Sequence, residues 1–168
     1  MSHQRGAVLL ISLVFLLVLT MLGVSSMQNA TLQEKMAASV KQRNASFQAA
    51  EMALRTGESA IQAPGFSLSR CPTLQTCAPP VDARSVTNPG HGGTSGVTWV
   101  AVSGGFYALQ HFASALEPVH LAPRQAEGDV PVPWTLYRVT GVGIQGGSRT
   151  VLESVHAGGR RIMWRQLH

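Results

Sequence analysis

Ala7-Val-Leu-Leu-Ile-Ser-Leu-Val-Phe-Leu-Leu-Val-Leu-Thr-Met-Leu-Gly-Val24 carries no charge, and its reading decides the fold. Only Ser12 and Thr20 interrupt it with polar groups, while Leu, Ile, Val and Phe fill most of the rest. At a rise of about 1.5 Å per residue, such a helix nearly spans a hydrocarbon layer of ~30 Å. Each large apolar residue near the helix centre favours insertion by roughly 0.3–0.6 kcal/mol, with no charge to oppose it. Arg5 precedes the run and the next charges, Glu34 and Lys35, lie well beyond it. That asymmetry puts the N-terminus in the cytoplasm and the rest outside. A secretory signal would also show a basic start and an apolar core, with Val24-Ser25-Ser26 as its cleavage site. The run is longer than the usual signal core, and the chain after it continues as a helix. A plain single-span anchor fits the composition as well.

Residues 25–62 contain no proline, and Gly57 is their one glycine. Good helix formers dominate: Gln28, Leu32, Gln33, Glu34, Lys35 and many alanines. Met36, Val40, Phe47, Leu54 and Ile61 recur at spacings of four and seven, which puts them on one helical stripe. This stripe is expected to be the face that packs on a sheet. Glu51 and Arg55 form an i,i+4 pair that contributes a few tenths of a kcal/mol when exposed. Ala63-Pro64-Gly65 ends the helix, because the residue before proline avoids helical backbone and glycine tolerates a reversed turn. Residues 7–62 thus predict one helix of about 84 Å. Its membrane half would be residues 7–24 and its amphipathic half residues 25–62.

Residues 63–96 hold five of the nine prolines and show no sustained periodicity, so they read as an irregular connection. Cys71 and Cys77 lie within it, and in an oxidising compartment they can close a disulfide of about 2–3 kcal/mol. A zinc site would need four ligands, and no His lies nearby. Beyond it, Gly96-Val-Thr-Trp-Val-Ala-Val102, Phe106-Tyr-Ala-Leu-Gln-His-Phe112, Thr135-Leu-Tyr-Arg-Val-Thr-Gly141 and Thr150-Val-Leu-Glu-Ser-Val-His156 read as strands. Arg161-Ile-Met-Trp-Arg-Gln-Leu167 adds a last one, and Pro118, Pro123, Pro131 and Pro133 mark a second long loop. Residues 97–168, about seventy residues, are near the lower limit for a self-sufficient core. The expected architecture is therefore α+β, with the sheet lying on the helix stripe.

Gly141-Val-Gly-Ile-Gln-Gly146 matches the dinucleotide-binding pattern G-x-G-x-x-G, but a strand rather than a helix follows it. A hairpin turning at Gln145-Gly146-Gly147 is the better reading. The six histidines have no metal-ligand spacing, and the eight acids form no evident paired-carboxylate or triad pattern. No catalytic residue, metal or cofactor is expected, and the chain does not read as an enzyme. Net charge is +5, but Lys and Arg are spread along the chain and only Arg160, Arg161 and Arg165 cluster. A solvated basic surface accounts for that, and nucleic acid is not an expected partner.

Met-Ser-His-Gln-Arg-Gly6, a six-residue leader ending in a basic residue and glycine, resembles the leader of type IV prepilins. Arg5-Gly-Ala-Val-Leu-Leu-Ile-Ser-Leu-Val-Phe-Leu-Leu17, Met27-Gln-Asn-Ala-Thr-Leu-Gln-Glu-Lys-Met36 and Arg43-Asn-Ala-Ser-Phe-Gln-Ala-Ala-Glu51 resemble the PilX family of type IV pilus minor pilins in Gram-negative bacteria. Tyr137-Arg-Val-Thr-Gly-Val-Gly143 and Val151-Leu-Glu-Ser154 resemble that family's C-terminal strands. The resemblance implies a type IV pilin-like fold and removal of residues 1–6 by cleavage between Gly6 and Ala7. It also implies methylation of the new N-terminus and retention of the apolar helix on the mature chain. By the same resemblance the subunit is scarce, sits in the inner membrane with its head in the periplasm, and then enters the pilus, at its tip. Expected partners are the prepilin peptidase, other minor pilins and the major pilin. Expected effects are on pilus assembly, twitching motility, adhesion or aggregation. Most pilins place Glu at the fifth mature position, where this chain has Ile11. A carboxylate in lipid costs about 3 kcal/mol, so Ile11 eases membrane residence and removes one assembly contact. A minor pseudopilin of a type II secretion system shares the leader style and is the nearest alternative. A membrane-anchored periplasmic binding module is the other.

Overall fold

The computed structural model describes residues 4–119, 121–125 and 130–167, with side chains from Ala7 onward. Met1 to His3 of the expected leader, together with His120 and His168, lie outside the described residues. Helix α1, Gln4–Ile61, is unbroken over 58 residues. It ends where the sequence breaks it. Gln62 N donates to Ser59 O and Ala63 N to Ala60 O, tightening the last turn, and Gly65 takes a φ of +77°. The chain divides into two compact units at Lys41/Gln42, within the helix rather than at residue 24 or 62.

Residues 7–40 form the exposed part of α1, and every one of them is accessible. Two residues of the expected packing stripe fall here: Met36 is 61% and Val40 56% exposed. The stripe therefore corrects to its lower part, where Leu54 is buried and Phe47 and Ile61 pack beside it.

In the unit Gln42–His168, six antiparallel strands form one sheet in the order β1, β2, β3, β6, β7, β8. Their spans are β1 Gly90–His91, β2 Thr98–Val102, β3 Gly105–Ala115, β6 Trp134–Gln145, β7 Ser148–Ala157 and β8 Arg160–Leu167. A small separate pair joins β4, Arg124–Gln125, to β5, Pro131–Val132. The β6–β7 hairpin turns on Gly146 and Gly147, with Gln145 opposite Ser148. The β7–β8 hairpin turns on Gly158 and Gly159, whose φ values of +56° and +75° suit a tight primed turn. The G-x-G-x-x-G segment thus lies inside β6 and its hairpin turn, as the hairpin reading requires.

Both faces of this sheet are covered, which explains why β7 is buried almost continuously instead of alternately. On one face the end of α1 supplies Ala50 and Leu54 against Val139 and Leu152. On the other, the 63–97 segment supplies Ala83, Val86 and Val97 against Ala108, Val142 and Val151. That segment is less irregular than its prolines suggest. It holds a short helix α2, Leu74–Cys77, with a Thr73/Thr76 capping box, a 3-10 turn over Val81–Arg84, and strand β1. The architecture is α+β, with the C-terminal part of a long N-terminal helix packed on a small antiparallel sheet.

Three side chains, buried Gln110 and Arg138 and half-buried Arg149, hold the covering segment to the sheet. Gln110 Nε2 donates to the Thr76 and Ala78 carbonyls, and Arg138 Nη1 donates to the Cys77 carbonyl at 2.6 Å. Arg149 donates to the Ala83 and Val86 carbonyls, and burial lowers its pKa from the ordinary guanidinium value. Cys71 and Cys77 are bonded, with Cα atoms 5.3 Å apart. Closing so short a loop contributes about 2–3 kcal/mol through the unfolded chain. Reduction of the full chain in detergent micelles is expected to lower its unfolding free energy by that amount. The check is a shift in urea midpoint with reductant that a Cys71→Ser/Cys77→Ser chain fails to show.

Candidate assembly surface

The exposed part of α1 has a charge-free core with a mean hydropathy of 2.9, and none of that window is buried. Summed over its large apolar residues, insertion into lipid is favoured by about 5 kcal/mol. Its hydroxyls do not oppose this. Ser12 Oγ donates to Leu9 O, Thr20 Oγ1 to Leu17 O and Thr31 Oγ1 to Gln28 O, each at 2.8–2.9 Å. A polar group bonded within its own helix needs no water, so the run is compatible with hydrocarbon along its length. Gly6 and Ala7 lie in the first turns of α1, and Ile11 stands one turn further, exposed.

Below Lys41 the helix changes character. Its sheet-facing residues are small: Ser46, Ala50, Ala53 and Gly57, at spacings of four, three and four, with Ala49 beside them. The sheet answers with glycines. A Cβ on Gly141 would lie 2.6 Å from Ala50 O and 2.7 Å from Leu54 N, and one on Gly143 would overlap Ser46 O and Ala50 N. A Cβ on Gly57 would meet the Val139 and Tyr107 side chains. Backbone therefore lies against backbone here, and the glycines of the G-x-G pattern serve helix packing. Ser46 Oγ also shares hydrogen bonds with Thr150 Oγ1 and Ser148 Oγ. Counting only large apolar residues misses this seam; the recurrence of small residues at helical spacing is the signal that finds it.

Two buried charge networks flank the seam. On the helix face, His156 Nε2 lies 3.1 Å from Glu58 Oε1 and 3.2 Å from Ser154 Oγ, while Arg161 Nη1 lies 3.4 Å from the same carboxylate. Ser, His and Glu together invite a catalytic reading, and the geometry refuses it. Ser154 and Glu58 meet the same ring nitrogen, whereas a relay needs the acid and the nucleophile on opposite nitrogens. Among the described residues His156 Nδ1 has no hydrogen-bond partner, and Ser154 is fully buried. The network ties α1 to β7 across 98 positions of sequence and to β8 across 103.

On the opposite face, the fully buried Glu153 stands between Arg165 Nη2, at 2.8 Å, and Arg138 Nε, at 3.2 Å. The Arg138 contact lacks hydrogen-bond alignment, so it acts as a Coulombic pair. Burial pulls the Arg138 guanidinium below its ordinary value, and Glu153 opposes that shift. Arg138 also stacks over the Phe112 ring, 4.3 Å from its centroid. These acids and bases are separated in sequence and paired only by strand register.

Among the described residues no group of His, Cys, Asp and Glu could hold a metal ion. The family model described as PilX N-terminal matches residues 5–55. The match covers the charge-free run and the seam residues Ser46, Ala50 and Ala53, and it stops before Gly57 and the sheet, so the likeness to PilX-type pilins is confined to the helix. Comparison with curated proteins gave no match, and neither did comparison with solved structures.

Proposed function

We propose that the chain is a minor pilin of PilX type, held in the inner membrane by residues 7–24 and drawn from there into a type IV pilus. One observation carries this reading. The exposed, charge-free part of α1 continues without a break into the half that docks on the sheet, within the segment that matches the PilX N-terminal domain. An apolar helix with no partner in its own chain has two outlets, lipid and other such helices. In a pilus it meets both, first in the membrane and then in the filament.

A prepilin peptidase removes residues 1–6 and methylates Ala7, leaving the helix on the mature subunit. Other minor pilins and the major pilin then pack along it. Ile11 at the fifth mature position lacks the carboxylate that would pair with a neighbour's terminal amine. A subunit without that contact suits the growing end, where it takes part in initiation within a tip complex. Twitching motility, adhesion and aggregation then depend on it through the number and composition of pili.

The mass of the mature N-terminus tests the reading. Protein recovered from cells with an active processing peptidase is expected to begin at an N-methylated Ala7, and a Gly6→Val variant to retain Met1. Parent protein with an intact Met1, or one beginning near Met27, would falsify it.

A further inference from the structure

Strand β3 loses its neighbour partway along the side that faces away from β6. Its register with β2 ends at Val100 opposite Tyr107, and the start of β2 pairs with β1 alone, Trp99 with Gly90 and Thr98 with His91. Four residues on from Tyr107, His111 O accepts from Cys71 N, and Arg70 bridges His111. The interval between these two ties is ~13 Å of strand. Alternate residues of a strand turn their main-chain groups to the same side, so Leu109 points its N–H and C=O into that interval, as His111 does. Leu109 has no register partner there.

A cavity of about 520 Å³ opens at this interval. Leu68, Pro72, Val100 and Leu109 give it apolar walls, while Arg70, His91 and His111 give it basic ones. Among the described residues none that lines it is acidic; Asp82 meets the lining at Ser95, whose hydroxyl donates to its carboxylate. Arg70 is exposed, and no ion pair or side-chain hydrogen bond among the described residues engages it. His111 Nδ1 donates to Leu68 O, which leaves Nε2 buried without a partner among the described residues. The walls are preformed. The Cys71–Cys77 disulfide and the Thr73/Thr76 capping box fix the 71–77 turn, and Gln110 bonds it to β3 through the Thr76 and Ala78 carbonyls. A site already in place gives up little freedom when a ligand enters.

Backbone closes the interval at both ends, Val100 at one and Cys71 at the other, so a strand paired with Leu109 cannot continue past either. A chain can only end there. Basic groups without a lining acid select a carboxyl end over an amino end, and the apolar walls select an apolar last residue. We propose that this cavity binds the C-terminus of an extended polypeptide of a partner protein. Its carboxylate is answered by the basic lining, Arg70 foremost, its main chain bonds Leu109, and its last side chain lies against the apolar walls. The site stands wholly within the unit Gln42–His168 and does not depend on how the N-terminus is processed.

The test uses the full chain in detergent micelles and a peptide ending in glycine, glycine, valine and leucine, labelled at its N-terminus and read by fluorescence anisotropy. The same peptide with a C-terminal amide, which enters micelles at least as readily, is expected to bind at least tenfold more weakly. Arg70→Gln is expected to remove most of that preference while leaving the urea midpoint unchanged. Thr98→Trp, which fills the cavity from an exposed position, is expected to abolish binding. Amide hydrogen exchange at Leu109 is expected to slow severalfold at saturation, with no change in β8. The proposal is overturned if the acid form does not bind at millimolar concentration, if the amide binds equally, or if Arg70→Gln keeps the full preference. Equal binding by a peptide that carries the valine and leucine internally would overturn the chain end as ligand. So would binding of free N-acetyl-leucine as tight as that of the peptide, which would mark a small carboxylate as the occupant.

Discussion

Gly143→Ala is expected to destabilise the head by about 3 kcal/mol, because the added methyl has no direction in which to yield. A Cβ at this position overlaps Ser46 O and Ala50 N, both backbone atoms in the middle of α1. Side chains move aside at small cost, but helix backbone moves only as a unit. Relief would require lifting the helix off β6, breaking the Ser46 bonds to Ser148 and Thr150 and uncovering Leu54 and Leu152. Gly147→Ala is the matched control. A Cβ there meets nothing within 4 Å, and stability should change by less than about 0.5 kcal/mol. Urea unfolding of the full chain in micelles, followed through the fluorescence of Trp99, Trp134 and Trp164, measures both. Equal midpoints for the two variants would show that α1 and β6 are not in backbone contact.

Removing the Glu153 carboxylate is expected to have the other large effect. Glu153→Leu keeps the volume but leaves Arg138 buried with its charge unanswered, and breaking such a pair costs about 3–5 kcal/mol. Arg165, half exposed, can turn to solvent; Arg138 cannot, because Cys77 and Gln110 hold its guanidinium in place. The companion change Arg138→Met removes the stranded charge. The double variant should therefore be more stable than the two single losses summed, by about 1–3 kcal/mol of coupling. A double-mutant cycle from the same urea curves gives that coupling, and strict additivity would mean that the pair does not interact. Part of the loss remains in the double variant, since the Cys77 carbonyl and Gln110 Oε1 lose their donor.

The small-residue seam shows how a correct pattern can be assigned the wrong cause. G-x-G-x-x-G is written for close backbone approach, and Gly141 and Gly143 do allow one, to a helix of the same chain rather than to a pyrophosphate. The stripe of Met36, Val40, Phe47, Leu54 and Ile61 was legible as a helical face, yet nothing in the spacing says how far the sheet extends. A Cβ on Gly146, at the tip of the β6–β7 hairpin, would meet the Gln42 side chain, so the sheet reaches about that residue, whereas Met36 and Val40 are exposed.

What the sequence determined by itself is local. A charge-free run of apolar residues, a proline-free continuation, a Pro-Gly stop and the Gly146-Gly147 turn each act within a few residues, so the helix and the β6–β7 hairpin could be read directly. What the tertiary structure decided is partnership over distance. Glu58 meets His156, Glu153 finds Arg138 and Arg165, and the proline-rich 63–97 segment becomes the cover of a second sheet face. Those contacts depend on strand order, register and the faces that register brings together, which no single stretch of chain encodes.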